Sequence, residues 1–396
     1  MSAEIPLAPS LDQIQPSRIR ELANAAFGME GVLRLQFGES TMPTPQYIKD
    51  AVVQAIAEDQ TFYSENAGLP SLRAAIAAKY AQLHGVQLDP MREVMVTASG
   101  VQALNVGIRC VIEPGDEALI LSPNWPNSTE IVRMFGAQPV EIPLVTGVDA
   151  RGVERFQIDF ASLEAAVTAR TRLLVYTSPS NPLGWVATVA DQQGLLEFCR
   201  RHKLWLLADE VYERLYYGTD TDVAPSILRL CTREDAVFVA QSFSKSYCMT
   251  GWRLGWLVGR ADMIQKAAQL NEFVVSHAAT FVQRAGEAAL SRGDDEVRER
   301  TLLFRERMLY CYEALSSVAG IAIPKPEGAF YLFPRIDGLD DSFAFALALL
   351  NAEKVAVAPG VAFGNGGEGA FRICYAPDMS VLEPAMERIV RFVERY

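Results

Sequence analysis

From about residue 49 to residue 285, short apolar runs alternate with longer stretches of helical periodicity, the pattern of a doubly wound, mostly parallel α/β sheet. Buried strands are predicted over residues 93–97, 118–121, 173–177, 205–208, 236–240 and 254–258, because each run is short, apolar and bounded by turn residues or polar groups. Past about residue 290 the texture changes. A charged helix is predicted over residues 294–316, followed by Gly-rich and alternating segments such as Phe371-Arg372-Ile373-Cys374-Tyr375, so a smaller α+β unit should complete the chain. No repeat, low-complexity tract or long linker interrupts the pattern, and the two units should therefore pack tightly.

Composition narrows the function. A chain of 396 residues, half of them hydrophobic, has ample length for a buried core. Its formal charge of -12 disfavours nucleic acid or an anionic membrane as the main partner, since both demand a basic footprint. Met1-Ser2-Ala3-Glu4-Ile5-Pro6 has no cationic segment leading into an apolar core, and the longest apolar stretches, such as residues 343–350, are too short to span a bilayer. A cytoplasmic protein is expected. Cys110, Cys199, Cys231, Cys248, Cys311 and Cys374 are scattered without CxxC pairs, which favours reduced core thiols. His84, His202 and His277 are the only histidines and none sits at metal-ligand spacing from another, so no metal site and no Ser-His-Asp chemistry is expected.

Four segments carry candidate chemistry. Lys245 lies in Ser242-Phe243-Ser244-Lys245-Ser246-Tyr247, just past the 236–240 run and ahead of Gly251-Trp252-Arg253-Leu254-Gly255, which places it at a strand end where α/β sheets bind ligands. Asp209 closes the apolar run 204–208; a carboxylate at a buried strand end must be paired, unless it caps the next helix. The loop Ser178-Pro179-Ser180-Asn181-Pro182-Leu183-Gly184 reads first as a rigid proline turn, but Asn181 adds an amide that could donate to a phenolate. Thr97-Ala98-Ser99-Gly100-Val101 marks a strand-to-helix turn whose backbone amides could hold a phosphate, with Ser242, Ser244 and Arg253 as further donors. The literal GxGxxG at Gly364–Gly369 is set aside, because an alternating strand-like segment follows it and no βαβ unit fits before the end of the sequence.

Taken together, from about Pro16 onward the chain resembles the class I/II aminotransferases, the fold-type I pyridoxal-phosphate enzymes. The likeness rests on Ser-Phe-Ser-Lys245…Gly-Trp-Arg253-Leu-Gly, Asn181-Pro182-x-Gly184, Asp209-x-x-Tyr212, Tyr63-x4-Gly68-x3-Leu72-Arg73 and the late Phe371-Arg372. It implies a large cofactor domain over residues 49–289 and a small domain formed by both termini, residues 1–48 and 290–396. It further implies that Lys245 forms the Schiff base with pyridoxal 5′-phosphate, Asp209 pairs the pyridine nitrogen, Asn181 and Tyr212 bond the phenolic oxygen, and Trp125 stacks on the ring. The phosphate would be held by the amides of Gly100 and Val101, by Ser242, Ser244 and Arg253, and by Tyr63 from a second subunit of a homodimer with shared sites. Arg372 would clamp the substrate α-carboxylate, assisted by Asn181 and the backbone of Gly38. Leu35, Gln36, Phe37, Trp125 and residues of the partner subunit are candidates for the side-chain pocket, and the sequence does not name the amino acid. The implied reaction moves an amino group from an L-amino acid to a 2-oxo acid by a ping-pong mechanism; a carbon–sulfur β-elimination lyase on the same scaffold is the alternative. The chain departs from the family pattern at Leu183, where threonine is usual, at Ser40, where proline is common, and at Val101, where some prokaryotic aspartate enzymes carry lysine.

Overall fold

Seven strands form the central sheet: β1 (Val94–Thr97), β2 (Glu117–Ser122), β3 (Gln138–Pro143), β4 (Thr171–Thr177), β5 (Trp205–Asp209), β6 (Val237–Ser242) and β7 (Gly255–Gly259). This computed structural model describes residue 12 and residues 14–149, 152–218 and 220–396, so the Met1–Pro6 segment lies outside the described residues. The spatial order is β1-β7-β6-β5-β4-β2-β3. Neighbours from β3 to β6 run parallel, while β7 runs antiparallel to both β6 and β1.

Each predicted strand appears at its expected place, because a strand covered on both faces must be apolar at consecutive positions. Successive residues then serve opposite cores. Leu119, Leu174, Leu206, Val239 and Val258 enter one apolar cluster, and their neighbours Ile120, Val175, Leu207, Phe238 and Leu257 enter another. Edge strand β3 is not an apolar run, since it carries Pro139 and Pro143, which an edge tolerates because one side of the strand needs no ladder donors.

A third core joins the chain's two ends. Leu22, Ala26 and Leu35 pack with Phe304, Leu349, Ile373 and Ile389. The predicted charged helix, Asp294–Ser316, starts with Asp294, Asp295 and Glu296 in its first turn, where negative charge suits the helix dipole. Beside it lies a three-stranded sheet in which β10 (Phe371–Cys374) is flanked by β8 (Tyr331–Leu332) and β9 (Ala358–Pro359), both antiparallel to it. The glycine-rich segment Gly364–Gly369 is a loop feeding β10 rather than the start of a helix. Among the described residues no helix is long and apolar enough to cross a membrane.

Candidate active site

The carboxyl ends of β4, β5 and β6 open on one cleft of about 280 Å³. Asp209 ends β5, Asn181 sits in the loop after β4, and Ser242 ends β6, with Ser244 and Lys245 in the turn that follows. Gly38, Gly100, Val101, Trp125, Tyr212 and Arg253 also line the cleft, so most of the residues expected at the site come together. Tyr63 does not. It is 93% exposed, with its ring edge-on to His277.

The turn after β1 brings backbone amides to the cleft. Ser99 caps helix α1 (Gly100–Arg109): its Oγ accepts from the Gln102 amide at 3.1 Å and its carbonyl from Ala103. The amides of Gly100 and Val101, first in the helix, have no intrahelical acceptor and point out of it. A Cβ at Gly255 would lie 2.6 Å from Gly100 N and from Gln241 O, so only glycine lets the helix start press against the ends of β6 and β7. Beside it the Ser242 Oγ accepts from the Ser244 amide at 3.1 Å, and Arg253 Nη1 donates to Thr250 O at 2.6 Å, leaving other guanidinium donors for the cleft.

Lys245 Nζ donates to the Gly38 carbonyl at 2.6 Å and lies 5.8 Å from the ring centroids of both Tyr212 and Phe330. Burial, with help from Arg372 and Arg253, lowers its pKa to about 8. Asp209 is 5% exposed, and its carboxylate accepts one long contact, 3.4 Å, from the Val211 amide. Burial raises it to about 7 even though the Lys245 charge opposes the shift. An aspartate this buried, with so little hydrogen bonding, is poised for a cationic or N–H partner.

Arg372, on β10, is fully buried rather than lying on a strand surface. Its Nη1 donates to Asn181 Oδ1 at 2.8 Å and its Nη2 to Gln36 O at 2.5 Å, while aromatic rings of Tyr331, Phe363 and Trp125 surround the guanidinium at 4.5, 4.9 and 5.9 Å. Because an arginine can only donate, Asn181 must present its oxygen to Arg372 and its NH2 elsewhere.

Sequence patterns alone missed Tyr331, whose hydroxyl is 2.6 Å from that of Tyr212, and Phe330, beside Lys245. The available signal was the turn Glu327-Gly328-Ala329 running into two aromatics. Thr250, Glu39 and Leu104 also line the cleft, with Thr250 Oγ1 bonded to the Glu39 carboxylate.

Residues 30–389 match the family described as aminotransferase class I and II. The chain belongs to that family. This aminotransferase is 34% identical over 392 residues to aromatic-amino-acid aminotransferase 2 of Thermococcus litoralis, covering 98% of each chain. It is 35% identical to an aspartate aminotransferase of Pyrococcus abyssi over 97% of each. Among solved structures, an aromatic aminotransferase from Pyrococcus horikoshii superposes with a TM-score of 0.86 at 33% identity, over 95% of this chain and 99% of that one. The family and these relatives support transamination over the carbon–sulfur lyase alternative.

Proposed function

We propose that the cleft holds pyridoxal 5′-phosphate on Lys245 and that the enzyme moves an amino group from an L-amino acid to a 2-oxo acid in two half-reactions. The observation that carries this is the convergence on one cleft of a lysine, a buried carboxylate in want of a partner, and an asparagine that ties a buried arginine fork to the cleft wall. The residues fit the cofactor. Asp209 would meet the pyridine N–H, the Asn181 NH2 and the Tyr212 hydroxyl would bond the phenolic oxygen, and Trp125 offers a flat face to the ring. The Gly100 and Val101 amides, Ser242, Ser244 and Arg253 form the phosphate cradle.

When bound, pyridoxal phosphate supplies the electron sink that lets a substrate Cα give up its proton. Lys245 Nζ, once free, takes that proton and returns it, and a pKa near 8 leaves a neutral share of the amine at ordinary pH. Arg372 orients the Cα–H bond by fixing the α-carboxylate, with Asn181 and the Gly38 backbone beside it. Tyr212 and Phe330 flank the amine with aromatic rings.

We infer a homodimer in which Tyr63 reaches the second subunit's phosphate cradle. Its exposure, together with that of Phe62, Phe273 and Val274, supports this, since exposed apolar groups call for cover. Residues 49–289 are taken as the large domain and residues 1–48 with 290–396 as the small one, a division supported by the core in which Leu22 packs with Phe304, which Tyr212, Leu215 and Tyr217 of the large domain also enter. A cytoplasmic location is supported by six cysteines without disulfides. Borohydride reduction of the loaded protein tests the central claim: the cofactor should become fixed to the peptide containing Lys245, and label on a different lysine would refute it. A screen of aromatic, acidic and aliphatic amino acids against 2-oxoglutarate or pyruvate then identifies the substrate pair.

A further inference from the structure

Three groups of the site meet at Tyr331, which is fully buried at the start of β8. Its hydroxyl lies 2.6 Å from the Tyr212 hydroxyl, and the Arg372 guanidinium sits 4.5 Å from the centroid of its ring. A Cβ on Gly38 would fall 2.2 Å from the Tyr331 oxygen, so the glycine is needed to leave room for that hydroxyl. The turn before it is held firmly. Ala329 adopts φ 60, with its amide donating to Leu215 O at 2.7 Å and its carbonyl accepting from Tyr217 Oη at 2.5 Å.

A phenol has one proton to donate. Tyr212 is the one hydrogen-bond partner of the Tyr331 hydroxyl among the described residues, so the pair has two possible polarities. If Tyr212 donated to Tyr331, it would have no proton left for a ligand. The opposite polarity is favoured because the Arg372 charge over the Tyr331 ring stabilises negative charge on that oxygen and makes Tyr331 the better donor. We propose that Tyr331 is a positioning residue: it donates to the Tyr212 oxygen and thereby turns the Tyr212 proton toward the phenolic oxygen of the cofactor. The proposal rests on the assignment of pyridoxal phosphate to this cleft. Two phenols in series also polarise each other, so the bond that Tyr212 offers is stronger than one phenol alone would give.

The test is a spectroscopic pH titration of the loaded enzyme without substrate. The pH at which the lysine-linked cofactor loses its protonated-form absorbance should rise by a few tenths of a pH unit in Tyr331→Phe, because a phenolate that accepts a weaker bond holds the proton on the neighbouring nitrogen more tightly. Tyr212→Phe should shift it further, and Tyr212→Phe/Tyr331→Phe should match Tyr212→Phe alone, since one hydroxyl acts through the other. A ring-fluorinated tyrosine at position 331 keeps the shape and is a stronger donor, so the midpoint should move the opposite way. A Tyr331→Phe enzyme that titrates with the parent's midpoint, or a double variant whose shift is the sum of the two, would overturn the relay. A parent protein that takes up no chromophore at Lys245 would instead refute the cofactor assignment beneath it.

Discussion

Arg372→Lys keeps a positive charge and removes the fork. Of the five N–H groups of the parent guanidinium, one on Nη1 serves Asn181 and one on Nη2 serves Gln36, and Nε is buried without a partner among the described residues, so three donors stay uncommitted there. Two of these can grip an α-carboxylate as parallel charge-assisted bonds. A lysine carries three donors on one atom, and if two stay with Asn181 and Gln36, one is left for the substrate. The loss is thus one charge-assisted hydrogen bond, about 1.5–3 kcal/mol, or roughly 10- to 150-fold in the half-reaction at limiting amino acid. Rapid mixing of the loaded enzyme with an α-amino acid, followed by absorbance, measures this directly. The same variant should bind cofactor normally and should process an amine that lacks a carboxylate as well as the parent does. An Arg372→Lys enzyme that consumes α-amino acids at the parent rate, or loses both kinds of amine equally, would refute the clamp.

Two further predictions concern the carboxylate and the subunit contact. Burial raises the Asp209 pKa from 3.8 to about 7, so its protonated form stabilises the cofactor-free fold fully below about pH 4, and this contribution of about 4 kcal/mol is lost as pH rises through 7. In urea unfolding of the cofactor-free protein, Asp209→Asn, neutral throughout, should lose less stability between pH 5 and pH 8 than the parent; equal losses would count against a buried, unpaired carboxyl. Tyr63→Phe should weaken phosphate retention by about 1 kcal/mol, roughly fivefold, through loss of one hydrogen bond to a phosphate oxygen. An active monomer in sedimentation at low concentration would refute the shared site.

Elements whose residues all face the core announced themselves. β2 and β6 are buried along their whole length, and the apolar runs within them, residues 118–121 and 237–240, are unbroken, so their positions were legible. The direction of β7 was not, because an apolar run carries no mark of polarity and antiparallel pairing to β6 and β1 is decided by the connections around it. Nor was β3, whose prolines make sense only once its place at the edge is known. Lys245, Asp209 and Asn181 were legible because polar groups directly after apolar runs must lie at the end of a sheet. Tyr331 belongs to a two-residue strand with no periodicity to read, and its interest comes from partners at positions 38, 212 and 372.

The Arg372 guanidinium reaches across 336 positions to Gln36 and 191 to Asn181. Contacts of such sequence separation form late, because the loops between them must be ordered first. Every group assigned to the cofactor lies at or before Arg253, however, and β7, which seats β1 and the helix start against β6, ends at Gly259, so a chain made from its N-terminus can order these groups once β7 has emerged and while the rest is still to come. On the proposed assignment, synthesis therefore completes the residues that would hold the cofactor before the one that would grip an amino acid, and a chain cut short ahead of Phe371 would carry Lys245 without Arg372.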